Sequence, residues 1–160
     1  MITHEVFNQA PPLADYNPAN YPAIREALVR DGAADALDEL DEVGTAAGST
    51  WALAAGDLAE EHPPVLRQHD QYGNRIDEVS YDPAYHGLMR HSVNFGLHAA
   101  PWADPRPNAH LIRATKFTIW QSVDAGHGCP ISMTYAAVPA LRVDPDLAAV
   151  YEPLLRVPLS

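Results

Sequence analysis

An all-α fold, one bundle of five or six helices, is what this 160-residue sequence predicts, and the placement of its 15 prolines is the first reason. Proline removes a backbone donor and clashes one turn back, so helices run where it is missing. The long proline-free intervals are 23–62, 65–82, 84–100 and 108–129. The second reason is that three of those four intervals carry apolar residues at steps of three and four, the helical period. The third is size: a chain this long buries about two thirds of the surface its unfolded form exposes, enough for one core without disulfides or metals.

In chain order, residues 1–20 precede the first stripe and read as an extended arm. Ile24, Ala27 and Leu28 form a short first helix face. Leu37, Leu40, Gly44, Ala47, Trp51, Ala54, Ala55 and Leu58 continue the period for more than twenty residues. The small members Gly44, Ala47 and Gly48 either let another helix approach closely or mark a break between two helices. The interval 65–82, "VLRQHDQYGNRIDEVSY" from Val65 to Tyr81, has only ragged alternation and a turn signal at Gly73-Asn74. It reads as a small hairpin or an irregular insertion. Asp82 as N-cap and Pro83 at the first helical position open a face of Tyr85, Leu88, Met89, Ser92, Phe95, Gly96 and Ala99. Ile112, Ile119, Trp120 and Val123 give the next. A last helix, "PISMTYAAVPAL" from Pro130 to Leu141, contains Pro139, which takes the usual partner from the Tyr135 carbonyl and kinks the helix.

Charge is distributed unevenly. Residues 1–62 hold twelve Asp and Glu against Arg25 and Arg30, a balance of −10 out of the total of −11. Such a face repels phosphate backbones, so direct nucleic-acid binding is not expected. Asp35, Asp38 and Glu39 belong to a first helical turn, where negative charge favours the dipole, and Asp41 and Glu42 continue on the solvent side. No apolar run approaches the roughly 20 residues that span a bilayer. The start "MITHEVFNQAPPL" lacks the basic flank and apolar core of a signal peptide. These features read as a soluble, cytoplasmic protein without membrane contact.

Candidate chemistry is sparse. Cys129, the single cysteine, stands two residues after His127. A thiol near a helix start with an imidazole nearby is a nucleophile and base pair in outline, but a free cysteine more often fills space as a small apolar group, and packing is the reading preferred for it. Eight histidines raise metal binding. His91 and His98, on one predicted face, stand about 10 Å apart, too far for one ion at about 2 Å per ligand. His86 points elsewhere, so no metal site is expected. No Gly-rich phosphate loop or GxSxG occurs.

Four stretches nonetheless stand in a recognisable order: "THEVFNQAPPL" at 3–13, "HPPVLRQHDQYGNRIDEVSYDPAYHGLM" at 62–89, "DAGHGCPISMTYAAVPAL" at 124–141, and the final "YEPLLRVPLS". Together they resemble the N-terminal region of the AidB-like branch of the acyl-CoA dehydrogenases, with the third matching that branch's EAGxxCPxxMTxAAxP pattern. The resemblance implies a helical N-terminal domain of a larger FAD enzyme that oxidises acyl-CoA thioesters at their α,β carbons. It also implies a branch linked to the adaptive response to DNA alkylation and assembled as a homo-oligomer. The flavin-binding β-domain and the C-terminal helical domain with its catalytic carboxylate are expected to be absent from these 160 residues, so the resemblance assigns no catalytic, cofactor-binding or metal residue here. The chain alone is expected to bind no FAD and to be inactive. Met133, Thr134 and Ala137 are expected to form part of the acyl-pocket wall; the alternative is that they are ordinary core contacts. Expected partners are the rest of such a chain or a separate flavoprotein. The rival functional reading is a stand-alone, non-catalytic helical module that self-associates or docks on a flavoprotein encoded elsewhere.

Overall fold

The computed structural model describes residues 15–157. Among them the chain forms eight α-helices and one two-stranded sheet. Helices α1 (Pro22–Arg30), α2 (Leu37–Ala47) and α3 (Thr50–Glu61) come first, then strands β1 (Val65–His69) and β2 (Arg75–Ser80). After them follow α4 (Pro83–Asn94), α5 (Ala100–Ala103), α6 (Ala109–Trp120), α7 (Gly128–Leu141) and α8 (Pro145–Leu155). Helix α2 packs on α6, α3 on α4, and α7 on α8. The expected all-α bundle with a small hairpin near 65–82 is what is found. The extended arm predicted for 1–20 falls largely outside the described residues. Within them, Pro18–Asn20 is a 3-10 turn, held by Asn17 accepting from the Ala19 N–H at 2.8 Å.

The small residues near 47 mark a helix break and also admit a close approach, though by the entering chain and not by another α-helix. A Cβ on Gly44 would overlap Asn17 and Ala19, and one on Gly48 would overlap the Tyr16 backbone, so the entering chain lies directly on α2. The helix also breaks there. Gly48 is the C-cap of α2, and Ser49 caps α3 by accepting from the Ala52 N–H at 3.2 Å. The break rotates the pattern: Leu40, Val43, Gly44 and Ala47 are buried in α2, whereas α3 buries Ala52, Ala55 and Gly56 and leaves Trp51 and Leu58 exposed. A single stripe through Leu58 is therefore corrected to two faces.

Helix α4 opens as predicted, with Asp82 accepting from the Ala84 N–H at 2.8 Å and Pro83 in the first turn. It closes early. Gly96, at φ +72°, takes the left-handed conformation that ends helices, the Gly96 N–H reaching Val93 O and the Leu97 N–H reaching Ser92 O. His98 therefore lies past the helix end and does not share a face with His91.

The core runs through α2, α3, α4 and α6 and centres on Trp120, which is fully buried and donates from Nε1 to Ser92 Oγ at 2.9 Å. A buried indole N–H needs such a partner. His91 stacks on Trp120 at 5.3 Å between centroids and meets Trp51 at 4.6 Å. The hairpin stands apart from this core, every residue of both strands being exposed. Asp70 fixes its tip by accepting from the Tyr72 and Asn74 N–H groups at 2.8 and 2.9 Å.

Candidate functional site

The predicted wall residues lie on α7, and the sequence around them explains how it is held. Asp124 organises the turn before the helix: its carboxylate accepts from the Gly126 N–H at 3.2 Å, the His127 N–H at 3.0 Å and His127 Nδ1 at 2.8 Å. Burial pushes the Asp124 carboxyl up, but the bonds from the His127 ring and from the two backbone N–H groups outweigh it and hold the group below the usual carboxylate range. His127 is 1% exposed and lies edge-on to Trp120. Its Nδ1 is committed to Asp124, and its Nε2 meets no partner among the described residues.

That arrangement corrects the reading of Cys129. The thiol is exposed, so it does not fill space in the core. The imidazole two residues before it faces inward on an aspartate, so no nucleophile and base pair is assembled.

Pro139 lies inside α7, and the helix continues through it. The carbonyl it frees, that of Tyr135, accepts from Trp102 Nε1 at 3.0 Å. A buried carbonyl without a partner is costly, and the indole supplies one from a helix 33 residues earlier in sequence. The two rings stand 5.3 Å apart, and His110 Nδ1 meets the Tyr135 hydroxyl at 2.5 Å.

Only one side of α7 is covered. Gly128, Ile131 and Val138 face inward and are buried, while Cys129, Met133, Ala136 and Ala140 step by three and four along the outer side and are exposed. Met133 is 67% exposed. Thr134 and Ala137 flank it, half-buried, and the Thr134 hydroxyl donates to Pro130 O at 2.9 Å. A helix that is apolar all round belongs in an interior, yet this one has an interior on one side only. Helix α8 likewise exposes Leu147, Val150, Tyr151 and Leu154, and Val143 between the helices is exposed too. Its one buried residue is Glu152, which accepts bidentately from Arg142 at 2.9 and 2.7 Å and pairs with Arg156.

Relatives decide what kind of molecule carries this surface. The profile of the Adaptive response protein AidB N-terminal domain matches residues 8–158. The chain belongs to that family. It is 40% identical over 141 residues to the "Putative acyl-CoA dehydrogenase AidB" of Escherichia coli (strain K12); the match takes in 87% of this chain and 26% of that one. Among solved structures, the apo form of Bd2924 superposes with a TM-score of 0.82 at 27% identity, over 94% of this chain and 31% of that one. Caenorhabditis elegans ACDH-11, solved in complex with C11-CoA, superposes with a TM-score of 0.78 at 21% identity, over 96% of this chain and 28% of that one, and shows the shared fold. The chain thus spans about a quarter to a third of the relatives it matches.

Set against the AidB N-terminal pattern, the sequence located α7 and its flanking turn. It did not reveal three pairings: Asp124 with His127, Trp102 with the Tyr135 carbonyl, and Glu152 with its two arginines. The first had a signal, an acid and a histidine three residues apart before a helix. The Trp102 contact had half of one, since Pro139 names the orphaned carbonyl without naming its donor.

Proposed function

We propose that this chain is the N-terminal helical domain of an FAD-dependent acyl-CoA dehydrogenase linked to the alkylation response, contributing one acyl-pocket wall and part of a subunit interface. The observation that carries the reading is the uncovered apolar side of α7, with Met133 at its centre and Thr134 and Ala137 beside it. A hydrocarbon chain is bound by dispersion and by exclusion of water. Methyl, methylene and thioether groups on a rigid helix suit that task, and a methionine adapts its shape to the occupant.

The same surface does not fit the flavin itself. An isoalloxazine edge and a pyrophosphate need oriented donors and positive charge, and the exposed side of α7 presents Met133, Ala136 and Ala140, with the neighbouring Thr134 hydroxyl already donating to Pro130 O. The flavin contacts and the proton-abstracting carboxylate belong to other parts of such an enzyme. This chain supplies position and dryness: a wall that orients the acyl chain and keeps water from it. On that reading the purified 160-residue chain is colourless and inactive.

The test is Met133→Trp in a chain that continues through the flavin-binding and C-terminal domains. The expected outcome is a shift of preferred acyl length toward shorter chains, seen as a rise in KM for long acyl-CoAs with flavin content unchanged. An unaltered chain-length profile overturns the wall assignment. The rival module reading draws on the fully exposed hairpin, whose tip Tyr72 is 80% exposed. Capture of a separately encoded flavoprotein by the isolated chain, with no continued chain in the genome, is what that reading requires.

A further inference from the structure

Nine arginines and one lysine are all the Lys and Arg of this chain, and three of those ten, Arg106, Arg113 and Lys116, line one cavity. It holds about 330 Å³ and is walled by α2, the end of α4, α5 and α6. Met133, Thr134 and Ala137 are not among its walls, so it is separate from the acyl wall proposed above.

The lining has an apolar part and a charged part. Phe95, Pro101 and Ile112 belong to the first, the last two being buried. The second is built on Glu39, whose oxygens are divided between two cations: Oε1 accepts from Arg106 Nη2 at 2.5 Å and Oε2 from Lys116 Nζ at 3.2 Å. Burial pushes the Glu39 carboxyl up, but the bonds and charges of Arg106 and Lys116 outweigh it and hold the group below the usual carboxylate range. Glu39 is thus an anion that orients two cations.

Neither cation is used up. The side chain of Lys116, the only lysine, is 12% exposed. An ammonium has three N–H donors and a guanidinium five, and Glu39 is the one acceptor that either meets among the described residues. Donors withdrawn from water without partners are costly. Arg113 adds charge, since its Nε donates to Leu97 O at 2.7 Å and its guanidinium lies over the Phe117 and Tyr135 rings. Asp104 also lines the cavity, exposed and paired with no cation among the described residues. Three cations against two carboxylates leave an excess of one positive charge.

We propose that this cavity binds a small monocarboxylate, its carboxylate on the open donors of Lys116 and Arg106 and its short hydrocarbon body on Phe95, Pro101 and Ile112. Charge selects the ligand: one negative charge cancels the excess, whereas a phosphate dianion overshoots it and is repelled by Glu39 and Asp104. The donors suit the group, a point charge from the lysine and a planar fork from the arginine. The volume is at the small end of ligand pockets and holds a few carbons in addition to the carboxylate. Nothing in this site depends on the acyl-wall reading.

The test is amide NMR of the isotope-labelled 160-residue chain titrated with sodium butyrate, and with sodium acetate, sodium phosphate and butylammonium chloride at matched ionic strength. Butyrate is expected to give saturable shifts centred on Gly96, Arg106 and Lys116. It should bind roughly tenfold more tightly than acetate, because two further methylenes leave water, and more tightly than phosphate. Lys116→Met and Arg106→Gln should each weaken butyrate about tenfold or more, the loss of a charged hydrogen bond. If Lys116→Met does not fold, Arg106→Gln, at a side chain 36% exposed, decides alone. Shifts that do not saturate or that scatter over the surface overturn the proposal, as does an Arg106→Gln chain that binds butyrate unchanged. Phosphate binding as tightly as butyrate overturns it in favour of a general anion site, and tighter binding of butylammonium in favour of a cation site.

Discussion

Helices α2 and α8 are both eleven residues long and both carry aliphatic residues at helical spacing, but they stand in opposite environments. In α2, Leu40, Val43, Gly44 and Ala47 are buried, and the chain at Tyr16–Ala19 lies directly on its two glycines. In α8, Leu147, Val150, Tyr151 and Leu154 face outward, and the buried residue is a glutamate clasped by two arginines. The helical period says that a face exists; it does not say what covers it. One helix is completed inside the domain. The other, like the outer side of α7, leaves its apolar residues exposed.

The comparison predicts a gradient of mutational cost. At the top is Trp120→Ala, which opens a cavity beneath α4 and strands the Ser92 hydroxyl; urea unfolding of the 160-residue chain should show a loss of about 3–5 kcal/mol. Met133→Ala in the same chain should stay within about 0.5 kcal/mol, since the side chain is already in water. A large loss there would mean that α7 is covered after all. Next comes Glu152→Gln, expected to cost about 1–2 kcal/mol. That is less than a fully buried pair would lose, because Arg142 and Arg156 are partly solvated. Such a loss, seen as early fraying of α8, would sharpen the contrast by showing that a polar clasp holds this helix to the bundle.

Smaller still is the response to acid. Burial holds the His98 imidazole below its usual value, so the unfolded chain takes up that proton first, and stability falls as pH drops from about 6.5 toward the lowered folded value. Asp124 acts lower: its depressed carboxyl contributes stability above its unfolded value near 4, lost as pH falls through the folded one. Thermal melts against pH should show two acid limbs, and His98→Phe should remove the upper one.

Much of this fold is legible in the sequence because its signals are local. Asp82 and Pro83 open α4, and Gly73 and Asn74 turn the hairpin. What stays hidden depends on distant partners. Helix α8 has an N-cap in Asp144, Pro145 in its first turn and a regular apolar stripe, but Pro153 near its end argues against a helix. Gly96 ends α4 through its positive φ, which the apolar pattern running on to Ala99 conceals. Cys129 illustrates the limit of composition: cysteines tend to be buried, and this one sits on the side of α7 that the domain leaves open. For the candidate site, the sequence gives the position of Met133, Thr134 and Ala137 on one helix, while the exposure of Met133 emerges only once α7 is packed.

Amide hydrogen exchange across α7 and α8, compared between the 160-residue chain and a chain continued through the downstream domains, tests the central claim most directly. The account predicts that α8 and the outer side of α7 exchange orders of magnitude more slowly in the continued chain, while α2 and α6 hardly change. Equal protection of α7 and α8 in both chains would contradict it.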